Sequence, residues 1–424
     1  MMEVLSPEQT GILFENRLPE SPSQNILSYE YYYSGAGLAI ADFNQDGTSD
    51  IYFVSNLKEN QLYLNEGGMQ FKEVGKMAGL SGKRGFSTGV STVDINADGL
   101  MDIYLCKSGR YTNPDTRRNE LFVNQGPNEK GIPVFVESAR NYGLDLSAYS
   151  TQASFFDYDK DGDLDMFLIN HDIDTYALDS IASRKRESSS DIGDRLFQNR
   201  AGKFVEVTVE AGLVNNLLGF GLGIGVGDFN QDTWPDVYVS TDYSGSDHLY
   251  INQRDGTFKE QIRELTPHTS FYSMGNDVGD INNDGWMDII NLDMVAEDNY
   301  GIKTSMSAMN PAQFENIVDL GLHHQYMYNS MLLNQGNAGG DGLPYFSDIG
   351  QLAGISSTGW SWAPLLFDFN NDGKKDLFIS NGIKRNIRNN DAVKAIAKIR
   401  PLVAQAKSPQ ERASNIEQML TLFP

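Results

Sequence analysis

The chain has 424 residues and carries 57 acidic against 33 basic side chains, a formal charge of -24, which argues against nucleic acids and anionic membrane surfaces as partners, since both demand basic patches. A hydrophobic content of 40%, 11% aromatics and 41 glycines mix strand formers with turn formers, while a mean hydropathy of -0.40 and the lack of any run of about 18 apolar residues leave no helical membrane span visible. The single cysteine, Cys106, excludes an internal disulfide framework and reads in "DIYLC" as a small apolar residue rather than a reactive thiol.

In chain order, the N-terminal "MMEVLSPEQTG" has neither a basic n-region nor an apolar h-region, so no signal peptide is visible and the chain is either cytoplasmic or lacks an export segment. A repeat then begins. The small-residue strand "GAGLAIA" meets the acidic turn "DFNQDGTSD", with Asp42, Asn44, Asp46 and Asp50 at its positions 1, 3, 5 and 9, and continues into "IYFVSN", "LYLNEG" and "FKEV". The second copy runs from "TGVSTV" through Asp94, Asn96, Asp98 and Asp102 to "IYLCKS", "LFVNQG" and "FVES". The third places Asp157, Asp159, Asp161 and Asp165 in "DYDKDGDLD", with Asp163 as a further carboxylate, before "MFLIN", "LFQNR" and "FVEV". The fourth follows "GLGIGVG" with Asp228, Asn230, Asp232 and Asp236, and departs from the pattern with Thr233 in place of glycine and Pro235 before the last aspartate, which leaves its occupancy open. "MGNDVG" introduces Asp280, Asn282, Asp284 and Asp288, and "GWSWAPLLF" introduces Asp368, Asn370, Asp372 and Asp376.

The first aspartates follow one another at 52, 63, 71, 52 and 88 residues. The short spacings match one four-stranded propeller blade, and the longer ones carry insertions at 107–119, 171–194 and about 294–328. "NPAQFENIVDLGL" in the last has helical spacing, and such excursions commonly build binding surface. The sixth repeat reaches "LFISNGIKRN" and then lacks a third and fourth strand, turning into a helical tail in which Ser408, Pro409 and Glu411 form a capping box. The expected fold is therefore all-β: a β-propeller over residues 1–390, of six or seven four-stranded blades with the last incomplete as written, and a short helical tail over 391–424. "ILFENRL" at 12–18 is one candidate to close the last blade; a C-terminal continuation beyond a fragment is the other.

In each acidic turn the side chains at positions 1, 3 and 5 converge, glycine at 6 permits the sharp bend, a main-chain carbonyl at 7 can turn inward, and the carboxylate at 9 closes the cage. Hard oxygen ligands at this density suit Ca²⁺, up to six ions in the chain; Mg²⁺ prefers a smaller octahedron with its waters, and zinc would take His or Cys, which the turns lack. Without a cation the carboxylates would raise one another's pKa and oppose folding. The bland alternative, that Asp and Asn merely serve turn chemistry, suits one loop better than six in register with strands. An EF-hand would need flanking helices and a carboxylate at position 12, where these repeats are strand.

These residues resemble the FG-GAP/VCBS repeat family, whose calcium-loop propellers include the head of integrin α chains, over about residues 12 to 390. The stretches "STQASFFDYDKDGDLD", "GLGIGVGDFNQD", "SMGNDVGDINNDG" and "TGWSWAPLLFDFNNDG" look most like secreted bacterial relatives of cartilage acidic protein, in which a further repeat and an ASPIC/UnbV-type region usually follow. The resemblance implies an extracellular or cell-surface calcium-binding module, on the outer face of a bacterial envelope, that recognises a protein or glycan without catalysis. The alternative is a carbohydrate-active enzyme of polysaccharide-lyase type built on the same scaffold.

No catalytic constellation supports that alternative. The glycines at 219, 221, 223, 225 and 227 keep a strand period and fit small residues on a crowded inner strand better than a nucleotide loop. The histidines at 171, 248, 268, 323 and 324 lie mostly in loops or insertions, and the pair at 323–324 reads as packed or solvated, with a metal or base role as the sharper option. Arg254-Asp255-Gly256 is a hairpin turn, no G-x-S-x-G elbow is present, and Trp360 and Trp362 read as packing, with a carbohydrate surface as the other option.

Overall fold

The structure is a computed structural model and describes residues 4–80, 85–305 and 310–423. It is mostly β, with several four-stranded antiparallel sheets, few helices and a small helical tail. Two compact units are formed.

The first unit, residues 1–18, 34–173 and 189–215, holds three sheets. They are built from β1 (Leu38–Ala41), β2 (Asp50–Phe53), β3 (Gln61–Asn65) and β4 (Phe71–Glu73); β5 (Phe86–Val93), β6 (Asp102–Ser108), β7 (Glu120–Pro127) and β8 (Pro133–Glu137); and β9 (Ser150–Phe156), β10 (Asp165–Asn170), β11 (Arg195–Asn199) and β12 (Phe204–Glu206). Each is a meander in which chain neighbours pair. The middle strands are buried on both faces, and the two-residue period of a strand assigns alternate side chains to different cores. Ile103 and Leu105 of β6 pack with Phe43, Tyr52 and Leu62 of the first sheet, while Tyr104 and Cys106 between them pack with Ala153, Met166 and Leu168 of the third. Cys106 is thus a packed apolar residue, its thiol pushed up by burial.

The second unit, residues 19–33, 174–188 and 216–424, repeats the pattern. Its sheets comprise β13 (Gly221–Gly227), β14 (Asp236–Thr241), β15 (His248–Asn252) and β16 (Phe258–Glu260), then β18 (Asn276–Gly279), β19 (Asp288–Asn291), β21 (Ser330–Asn334) and β22 (Phe346–Asp348). A short parallel pair, β17 (Thr269–Ser270) with β20 (Gln325–Tyr326), ties the 294–328 insertion to the chain before β18. The sixth repeat contributes only β23 (Ser361–Phe367) and β24 (Asp376–Asn381), the two strands its sequence announces. Alternation again serves two cores, Ile289 facing Phe229 and Tyr238, and Ile290 facing Leu366 and Leu377.

First strands of successive sheets approach closely within each unit, and small residues make this feasible. A Cβ on Gly89 of β5 would lie 2.3 Å from the Thr151 carbonyl oxygen of β9, and one on Gly275, just before β18, would lie 2.4 Å from the Trp362 carbonyl oxygen. Gly225 would collide with Val278 in the same way, at 2.5 Å. These glycines answer close packing, as the strand period of their spacing suggests.

Three local expectations are corrected. Residues 12–18 form no strand; Phe14 instead stacks on Phe53 at 4.8 Å and Asn16 bonds Asn56, so side chains rather than a backbone ladder fix this segment on the first sheet. Lys107, where the strand "IYLCKS" and the 107–119 insertion overlap in the sequence, belongs to β6 and forms a buried ion pair with Glu120 at 2.5 Å. The 294–328 insertion carries two helices, Asn299–Ser305 and Pro311–Asp319, of which the sequence pattern marked the second; Asn310 caps it by accepting from the N–H groups of Ala312 and Gln313. Residues 306–309 of that insertion lie outside the described residues.

The tail forms helices Asn390–Gln405 and Pro409–Leu420. Ser408 accepts from the Glu411 N–H at 3.1 Å, while the Glu411 carboxylate reaches the N–H of Lys407, one residue earlier than a standard capping box would place it.

Candidate metal centres

The register of the first hairpin positions every acidic turn. The last paired residues are Ala41 with Asp50, Val93 with Asp102, Phe156 with Asp165, Gly227 with Asp236, Gly279 with Asp288 and Phe367 with Asp376. Positions 1 to 8 therefore form the connection, and position 9 is the first residue of the second strand.

All six connections fold alike. The position-1 carboxylate accepts from the N–H groups of positions 5 and 6, the position-3 side chain accepts from position 5, and the position-5 carboxylate accepts from position 7. In the first loop these bonds run from Asp46 and Gly47 to Asp42 at 3.1 and 2.8 Å, from Asp46 to Asn44 at 3.2 Å, and from Thr48 to Asp46 at 2.9 Å. The same bonds recur on Asp94, Asn96 and Asp98, on Asp157, Asp159 and Asp161, on Asp280, Asn282 and Asp284, and on Asp368, Asn370 and Asp372. The divergent loop also closes in this way: Thr233 adopts φ +73° in place of glycine and still donates to Asp228 at 2.8 Å, with Asn230 and Asp232 in their usual roles. Its distinguishing feature is Arg254, whose Nε lies 2.8 Å from the Asp232 carboxylate. The turn "RDG" thus delivers a cation to the loop of its own sheet.

Position 9 works differently. One oxygen accepts from the N–H of position 2, and in five repeats the other accepts from an asparagine of the third strand: Asn65 on Asp50, Asn124 on Asp102, Asn199 on Asp165, Asn252 on Asp236 and Asn334 on Asp288, at 2.7 to 2.9 Å. Each asparagine amide then donates to the carbonyl of position 8. Asn124 and Asn334 donate as well to Phe43 and Phe229, the position-2 residues of the preceding sheet in their own unit, both at 2.9 Å. The asparagines are visible in the sequence as a repeated letter; their role as latches needs the neighbouring sheet. In the sixth repeat Asp376 keeps, among the described residues, only the bond from Phe369 and is half-buried.

Electrostatics separate the loops. Burial, reinforced by the other carboxylates, pushes Asp50 and Asp102 up to about 6, Asp236 to about 7 and Asp165 to about 8, against the opposing pull of their two backbone bonds. Asp288 is raised for the same reason. The third loop gathers charge most tightly. One oxygen each from Asp157, Asp159 and Asp165 lie within 4.8 Å of one another, the one such trio of acidic, histidine or cysteine side chains among the described residues. Asp161 stays outside the trio, and a buried Asp163 oxygen lacks a hydrogen-bond partner among the described residues. This donor set, oxygen throughout and anionic, fits a hard divalent cation.

The FG-GAP-like repeat profile matches residues 27–105 and 228–290, each span containing at least one of these turns. The chain carries FG-GAP-like repeats. A curated relative, cartilage acidic protein 1 of Xenopus tropicalis, is 24% identical over 249 residues, 58% of this chain and 34% of the relative, so the chain spans about a third of that relative's length. Among solved structures, the V. cholerae biofilm matrix protein Bap1 aligns with a TM-score of 0.35 and 13% identity over 62% of this chain and 36% of Bap1. A GH43 β-1,3-galactosidase with galactodeoxynojirimycin aligns with a TM-score of 0.35 and 10% identity over 74% of this chain and 93% of the enzyme. At that score neither alignment bears on function.

Outside the FG-GAP-like turns, two of the histidines named in the sequence are packed into the interior. His171 is buried with Nε2 2.7 Å from the Ser108 hydroxyl, and His323 is buried with Nε2 3.1 Å from the Thr266 carbonyl oxygen. Burial holds them down at about 3 and about 4. His324, beside His323, is exposed and tilts against Phe314.

Proposed function

We propose that the chain is a calcium-binding β-propeller module of the cell exterior, in which up to six Ca²⁺ ions occupy the acidic turns and the insertions recognise a protein or glycan without catalysis. One observation carries this reading: six turns with Asp or Asn at positions 1, 3, 5 and 9 share one hydrogen-bond pattern, the third bringing three carboxylate oxygens within 4.8 Å of one another, although buried carboxylates there are disfavoured without a counter-charge. The ligands are Asp42, Asn44, Asp46 and Asp50 and their equivalents in the other five turns. Calcium at such modules binds with Kd around 10⁻⁴ to 10⁻³ M, a range that a calcium-rich exterior fills.

The topology supports a division of labour. Acidic turns join first to second strands, whereas all three insertions follow the second strands β6, β10 and β19, at the far end of their antiparallel hairpins. Calcium would stiffen one end of the sheets and leave the other to recognition.

Equilibrium dialysis against millimolar ⁴⁵Ca²⁺ tests the assignment. Several ions per chain are expected, and the double variant Asp157→Asn/Asp159→Asn should bind one fewer. Background uptake by the wild-type chain would defeat the reading.

A further inference from the structure

A cleft of about 320 Å³, its mouth included, opens within the second unit at the end of the sheets away from the acidic turns. It is formed by the segment 26–33, by Asp242 and Tyr243 after β14, by the residues flanking β18, β19 and β23, and by Ile383 to Arg388 after β24.

Its lining is aromatic and polar together. Trp360 and Trp362 sit 6.2 Å apart with their planes tilted by 39°, and the Trp362 N–H is held by the Gly382 carbonyl at 2.7 Å, which fixes that ring. Two buried donors in this wall, the N–H of Trp360 and the Nε–H of Arg388, have no acceptor among the described residues. Carboxylates stand opposite. Asp242 accepts from the Tyr31 hydroxyl at 2.9 Å, and Glu30 lies 3.6 Å from the Arg388 guanidinium. Tyr243 adopts φ +63°, a conformation costly for an aromatic residue and typical of backbone held for a purpose.

The chemistry narrows the ligand. Arg388 already supplies the positive charge, over Tyr272 at 5.3 Å and Trp360 at 5.9 Å, so the aromatic cluster does not call for a cationic guest. An anion would face Glu30 and Asp242. What remains is a neutral group with an apolar face for the tryptophans and several hydroxyls that both donate and accept.

We propose that this cleft binds a neutral sugar residue of a glycan, stacked on Trp362 and Trp360, with hydroxyls between the donors Trp360 and Arg388 and the acceptors Glu30 and Asp242. The inference rests on the recognition reading above and names its ligand class. The cleft's interior has room for only one or two water centres, so the ring seats in the mouth and one hydroxyl reaches inward.

The test uses the full chain in calcium, with a panel of neutral methyl pyranosides and choline chloride, followed by ligand-detected NMR and calorimetry. At least one pyranoside should bind with millimolar or tighter Kd. Trp362→Ala should weaken it tenfold or more and Glu30→Gln at least threefold, while Tyr300→Ala, at a well-exposed site outside the cleft, should not change it. If Trp362→Ala does not fold, Trp362→Phe should retain binding at reduced affinity. The proposal is overturned if no pyranoside binds, if choline binds instead, or if the cleft variants bind as wild type does. A chain that takes up calcium but no pyranoside loses this proposal alone; one that binds pyranoside without calcium uptake keeps it and loses the calcium reading.

Discussion

Position 9 of the first five acidic turns shows how one carboxylate serves two ends. Asp102 is fully buried, yet both its oxygens hold backbone N–H groups, from Ile95 at 2.9 Å and Asn124 at 2.7 Å. Replacing Asn124 with Ala leaves the carbonyls of Phe43 and Met101 without their amide donor, and a buried acceptor left unmatched costs about 1–3 kcal/mol. Urea unfolding should register that loss, and Asn65→Ala, whose amide meets only the exposed Ser49 carbonyl, should lose less than half as much. Equal losses would remove the latch from the account. A second group of residues sets a pH dependence away from the turns. Asp247 and Asp293 are buried, and burial pushes both carboxyls up to about 7. Unfolded they titrate near 4. At these two carboxyls the folded chain therefore holds more protons than the unfolded one between about pH 4 and 7, and their contribution to stability falls as pH rises through that window, while the buried His171 and His323 act in the opposite sense. With calcium in excess throughout, the urea midpoint of Asp293→Asn relative to wild type should rise between pH 5.5 and pH 8, because the variant has no carboxyl to ionise there. A relative midpoint that is flat or falls with pH would contradict the assignment.

At the scale of elements, the sheets pack through their first strands because those strands are small. Gly89→Ala drives a methyl group to 2.3 Å from the Thr151 carbonyl oxygen, backbone that has little room to yield. Overpacking of this kind costs about 1–3 kcal/mol, so the variant should unfold at a lower temperature than wild type; an unchanged midpoint would mean that β5 and β9 are looser than described. The meanders and the acidic turns were legible in the sequence because both rest on local signals: two-residue alternation in "DIYLC", the aspartate spacing, and the glycine or left-handed residue each turn requires. The missing third and fourth strands of the sixth repeat were legible for the same reason. What escaped depends on distant contacts. That Lys107, at the end of "IYLCKS", is buried needs Glu120 beside it; residues 12–18 offered a strand to close the last blade, but Phe14 and Asn16 are satisfied by Phe53 and Asn56 instead; and Ile181–Arg184, a single helical turn, is too short to leave a periodic trace. The cleft was half legible: Trp360 and Trp362 stood out, whereas Glu30 and Arg388 join them from segments more than 300 residues apart.

For the whole molecule, the charge of -24 is the fact any account must accommodate. Nineteen of the 57 acidic residues lie in the six turns, counting only positions 1, 3, 5 and 9, and six divalent ions would halve the net charge while neutralising carboxylates that folding otherwise strains. At 10 mM calcium and Kd of 0.1 to 1 mM, each site adds about 1.4–2.7 kcal/mol to the folded state by mass action, and six together about 8–16 kcal/mol. That sum rivals the stability of a typical domain. The most direct measurement is thermal unfolding of the full chain by calorimetry, after chelation with EDTA and again in 10 mM Ca²⁺, with 10 mM Mg²⁺ as the comparison. Ions seated in the turns should raise the midpoint by 10 °C or more in calcium, with a much smaller rise in magnesium; a midpoint that is the same in EDTA and in calcium would contradict the account at its root.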